Sequence, residues 1–118
     1  MKQRLGEFEQ LLLFALLHLG DEAYGVAIRQ AVEERTGRTV SAGAVYVAME
    51  RLSEQGFVTS WFGETTPQRG GRRKKYYKLE PAGAAALQRS YETLTRMAAG
   101  LGEKLSQQAA GQAAVEEI

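Results

Sequence analysis

Cysteine is absent from this 118-residue chain, which excludes disulfides, thiolate metal sites and cysteine nucleophiles together. The lack fits a reducing compartment, so a cytoplasmic location is expected. The single histidine, His18, has no second ligand type clustered near it and reads as a helix-end residue, not a metal ligand or base. Proline occurs twice: Pro67 falls in a polar loop and Pro81 suits a first helical position. Long apolar runs are missing too. The run at residues 11–17 (LLLFALL) is far too short to span a bilayer and has no cleavage-site pattern after it, so it reads as a helix of the fold. Enzyme signatures are equally scarce, with no glycine-rich phosphate loop after a strand, no nucleophile motif and no histidine–carboxylate cluster. The adjacent Glu33 and Glu34 point about 100° apart on a helix and do not converge as a catalytic pair. No catalysis, cofactor or metal is expected, and one histidine with no cysteine argues strongly against a soft-metal-sensing regulator of related shape.

What the chain does have is a concentrated block of positive charge. The formal net charge is only +1, yet Arg69, Arg72, Arg73, Lys74, Lys75 and Lys78 lie together with no acid among them. The other nine basic residues face fourteen acids, leaving a body of −5 beneath a patch of +6. Such a directed field points to a polyanion meeting one edge of the protein.

The block follows a helix that organises the chain. At residues 41–56 (SAGAVYVAMERLSEQG), Val45, Met49 and Leu52 form an apolar stripe, Ser41 is a good N-cap and Gly56 a good terminator. The opposite face begins with the small Ala42 and Gly43, then Tyr46, Val47 and Arg51. It allows close approach to something bulky, at the end of the helix that favours phosphate. Residues 57–62 (FVTSWF) and 75–79 (KYYKL) read as strands of a hairpin around a polar loop. Residues 24–36, with Tyr24, Ile28 and Val32 four apart, form the preceding helix, so residues 24–56 are a helix-turn-helix.

This layout predicts a mostly α fold with a small β-hairpin: a winged helix-turn-helix over residues 1–80, a dimerisation helix over 81–106 and a frayed tail over 107–118. Duplex DNA is the expected partner. Ser41, Ala42, Gly43, Tyr46, Val47 and Arg51 are the candidates on the reading helix, and Arg69, Arg72, Arg73, Lys74 and Lys75 on the wing. The opposing readings pair Arg51 with Glu50 or Glu54 and tuck Tyr46 into the domain. Trp61 reads as a strand-packing residue rather than part of a ligand site.

A second copy of the chain is the other expected partner, because a lone core of this size is modest. The helix at residues 5–19 is apolar nearly all round, which implies burial on every side, one against this protomer's core and the other against a partner subunit. Leu5, Phe8, Leu12, Leu13 and Leu16 are its candidate interface residues. Further on, Leu87, Leu94 and Leu101 recur every seven residues, as do Tyr91, Ala98 and Leu105, an a/d seam of helix against helix. Gly100 and Gly102 weaken that helix by about 1 kcal/mol each relative to alanine, so its distal part is expected to be loose or kinked.

Three stretches, LGDEAYGVAIRQ from Leu19, AGAVYVAMERLSEQGFV from Ala42 and GGRRKKYYKLEPAG from Gly70, together resemble PadR-family transcriptional regulators. Tyr24-Gly25, Val45-Tyr46, Arg51-Leu52, Gly56 and Lys75-Tyr76-Tyr77 carry the likeness, which runs over about residues 5–105. The resemblance implies a homodimeric repressor at a palindromic operator, released by a small aromatic effector, and the short C-terminal part looks like the small subfamily with a single dimerising helix. Arg73 departs from the proline common at that point of the wing and makes this wing more positive. A different class stays open at this stage: a winged-helix protein-interaction module whose basic wing docks an acidic partner.

Overall fold

The computed structural model describes residues 4–64 and 73–116. In chain order they form α1 (Glu7–Leu19), a 3-10 turn (Gly20–Glu22), α2 (Gly25–Thr36), α3 (Ala42–Glu54), β1 (Val58–Phe62), β2 (Lys75–Leu79), α4 (Pro81–Ala98) and α5 (Gly102–Glu116). This is the mostly helical winged helix-turn-helix expected from the sequence.

The core lies where the apolar stripes of α1, α2 and α3 meet. Leu12, Leu13, Ile28, Met49, Leu52 and Val58 are its largest fully buried side chains, each contributing about 1.5–3 kcal/mol by leaving water. Local capping fixes the start of α3. The Ser41 Oγ accepts the Ala44 N–H at 3.1 Å, as its N-cap position demands. The turn before it is held by Glu33, whose carboxylate accepts the Val40 N–H at 2.9 Å, so Glu33 clamps the helix-turn-helix instead of facing water.

β1 and β2 pair antiparallel, with Val58 opposite Leu79, Trp61 opposite Tyr76 and Phe62 opposite Lys75. The hairpin is rooted in the helices. The Tyr77 N–H donates to the Ala23 carbonyl at 2.8 Å, and Tyr24 bridges to Tyr76. Its packing is mixed: Tyr77 is buried, while Trp61 stacks on Tyr76 across the strands at 5.8 Å.

α1 is apolar nearly all round, and on the lone protomer Leu17 is exposed and Leu11 and Phe14 are half-buried, because α2, α3, α4 and β2 cover just part of its circumference. The C-terminal helix breaks in its distal part, as its two glycines predict, and so is not continuous to residue 106. It stops at Ala98, Gly100 takes a φ of 78° that L side chains rarely adopt, and helix resumes as α5 through Glu116, where the sequence suggested a frayed tail from 107. The heptad repeat therefore straddles a break, with Leu101 in the break and Leu105 on α5.

Candidate nucleic-acid interface

α3 buries Val45, Ala48, Met49 and Leu52 and turns its other face outward. Ser41, Ala42, Gly43 and Arg51 are exposed, and Tyr46 and Val47 are 55% and 58% exposed. Tyr46 is thus not tucked into the domain. Arg51 makes no ion pair among the described residues: Glu50 pairs with Lys75 instead, and Glu54 pairs with neither. A column of small, apolar and aromatic side chains ending in a cation can lie close against a groove floor and its flanking phosphates.

Beside that face, a groove of about 460 Å³ runs between the starts of α2, α3 and β2. Tyr24, Gly25 and Val26 line one wall, Ala42 and Tyr46 a second, and Arg73, Lys74 and Lys75 a third. First-turn residues of two helices, Gly25 and Val26 of α2 and Ala42 of α3, thus line the same groove. Neither α2 nor α3 has an acid in its first turn; α4 shares this, while α1 has Glu7 and Glu9. Acids normally accumulate at a helix start because the dipole favours them. Their absence from both helices that border the groove leaves the positive ends open to an outside anion.

The wing contributes its described cations unequally. Arg73 is exposed at the mouth of the groove. Lys74 lies over the Tyr24 ring, with Nζ 4.1 Å from its centre, which holds the ammonium at the α2 wall. Lys75 is engaged differently: its Nζ donates to the Glu50 carboxylate at 2.6 Å, and its pKa is raised chiefly by that hydrogen bond, against the opposing effect of desolvation. Burial raises the Tyr77 phenol in the same cluster. Arg69 and Arg72 lie outside the described residues.

Sequence reasoning located the α3 face and the basic return strand, and the structure brings them to one surface. It missed Tyr24, Gly25 and Val26. The only available signal was a glycine-started helix with no acid in its first turn, since their approach to β2 is tertiary.

The proposed interface residues separate into two sets. Leu5, Leu12, Leu13 and Leu16 belong to the protomer's own core and are not presented to a partner, Leu87 belongs to that core but also edges the groove between α1 and α4, and Phe8 is partly buried. Tyr91, Leu94, Ala98, Leu101 and Leu105 are exposed, and Met97, which no seam position selected, is 79% exposed. Next to them an apolar groove of about 170 Å³ lies between α1 and α4, lined by Phe14, Leu17, Ala84, Leu87, Gln88 and Tyr91.

Among the described residues no group of acids and histidine is arranged to hold a metal ion, and no helix is long and apolar enough to cross a membrane.

Comparison with known proteins bears on this geometry. The sequence profile of the transcriptional regulator PadR-like family matches residues 13–89, from α1 into α4. Similar solved structures include a PadR family transcription regulator from Clostridium difficile R20291, at 24% identity and a TM-score of 0.66, covering 83% of this chain and 98% of that one. A PadR family transcriptional regulator from Eggerthella lenta matches at 24% identity and a TM-score of 0.64, over 84% and 86% of the two chains. Bacillus subtilis PadR in complex with operator DNA matches at 21% identity and a TM-score of 0.57, over 70% of this chain and 46% of that one. A search of curated protein sequences found no match.

Proposed function

The chain belongs to the PadR-like family of transcriptional regulators, and on that premise we propose that it acts as a homodimeric repressor reading a palindromic operator through α3. The observation that carries this reading is the groove where two acid-free helix starts and the base of a cationic wing converge. A duplex phosphate seated there would place Tyr46 and Val47 against base edges and Arg51 near the backbone. Arg73 and Lys74 would hold the flanking phosphates. The operator complex of Bacillus subtilis PadR supports duplex DNA as the partner class.

Residues 1–80 are then the DNA-binding unit, and the exposed apolar side chains of residues 81–106 the dimerising part. Tyr91, Leu94 and Met97 offer apolar surface that a lone protomer leaves in water, beside the uncharged groove between α1 and α4. Pairing two copies there must set the reading helices roughly 34–36 Å apart for successive major grooves. A small aromatic effector that releases the complex remains part of the proposal on the strength of family likeness.

Phosphate contacts can be counted from salt dependence, since each one neutralised contributes about 0.9 to the slope of log K against log salt. Lys74→Ala and Arg73→Ala are each expected to lower that slope by about one and to weaken all duplex sequences alike. Titrations at several salt concentrations, with operator-like and random duplexes, measure it. An unchanged slope in both variants removes the base of the wing from the contact set.

A further inference from the structure

Lys75 is a cation of the wing base that lines the groove, yet it is partly buried and already engaged by the protein's own groups. Its side chain is 23% exposed and its Nζ lies 2.6 Å from the Glu50 carboxylate. Three aromatic rings surround the ammonium, Tyr46 at 5.6 Å, Phe62 at 5.5 Å and Tyr77 at 5.8 Å from their centres. Glu50 stands one helical turn after Tyr46 on the reading helix, so the pair ties α3 to the first residue of β2.

A DNA phosphate at this place has no net cation to gain. Taking Lys75 would break a short charge-assisted hydrogen bond and leave the Glu50 carboxylate unpaired beside a polyanion. We infer that Glu50 withholds Lys75 from the DNA backbone, making Lys75 a positioning residue that fixes the wing against the reading helix and Glu50 the residue that limits sequence-independent binding. This rests on the DNA-binding reading above and revises the role that sequence alone suggested for Lys75.

The test uses the full chain and a random-sequence duplex. Glu50→Gln removes the charge while keeping the shape, and frees the ammonium for one more phosphate. The salt slope is expected to steepen by about one, and affinity at 0.1 M salt to rise about eightfold, the value of one added contact. Glu50→Ala should behave likewise, and adding Lys75→Gln to Glu50→Gln should return the slope to that of the unaltered protein. Glu54→Gln supplies the control for general charge loss: Glu54 is exposed on the same helix and makes no ion pair among the described residues. Its slope should stay within a few tenths of the starting value. Equal steepening by Glu50→Gln and Glu54→Gln, or none by Glu50→Gln, overturns the inference. Failure of the unaltered protein to bind any duplex at low salt overturns the DNA-binding reading itself, and is seen before any variant is made.

Discussion

Replacing Leu94 by glutamate is expected to yield a folded monomer that holds a two-half-site duplex about 100- to 10,000-fold more weakly, the range by which linked binding exceeds that of single units. Leu94 is 62% exposed and is not part of the buried core, so the substitution removes little from the protomer's own packing. Surface changes of this kind usually alter stability by within about 0.5 kcal/mol. In a paired interface the same carboxylate would be desolvated with no partner, at a cost of several kcal/mol. Light scattering should therefore fall from twice the 13.0 kDa chain mass to one copy, with the helical circular dichroism retained. A variant that stays dimeric with full affinity would place the pairing surface elsewhere.

The second large effect concerns Gly83, in the first turn of α4. A Cβ built there meets the Phe57 carbonyl oxygen at far less than contact distance and the Leu79 side chain at 2.9 Å. The Phe57 carbonyl cannot rotate aside, because it already accepts the Glu80 N–H at 2.9 Å. Gly83→Ala must then lift α4 from the junction of α3 and β1. Overpacking costs about 1–3 kcal/mol, and more where backbone is the obstacle, while alanine returns about 1 kcal/mol of helix propensity. We expect a net loss of about 2 kcal/mol, or a Tm lower by roughly 10 °C. Gly111→Ala, in the open middle of α5 with nothing within 4 Å of the added carbon, should leave Tm unchanged or raise it. If the two variants melt alike, the close approach of α4 to Phe57 is not a constraint.

How far the sequence reaches depends on which forces are local. Ser41 and the Val45–Met49–Leu52 stripe delimited α3 because capping and period act within one or two turns. The strand pattern placed the hairpin to within a residue for the same reason. Burial was less legible. Leu12, Leu13 and Leu17 look alike in a run of leucines, and only the positions of α2, α3 and α4 show that the first two are core and the third is exposed. The break at Ala98 was visible only as two unfavourable glycines, since a glycine pair alone does not decide whether a helix bends, frays or restarts. The groove wall at Tyr24 and Val26 and the Glu50–Lys75 pair join residues far apart in sequence, 25 positions in the case of the ion pair. No periodicity encodes those contacts, and the pair reassigned one cation that composition had counted toward the DNA face.

Selection of duplexes from a random pool by the unaltered protein bears most directly on the central claim, that α3 and the wing base form one DNA-reading surface duplicated by dimerisation. The expected product is an inverted repeat whose half-site centres lie about 10–10.5 base pairs, or a multiple of that, apart. A pool that gains no sequence preference, or gains only a single unrepeated motif, would contradict it.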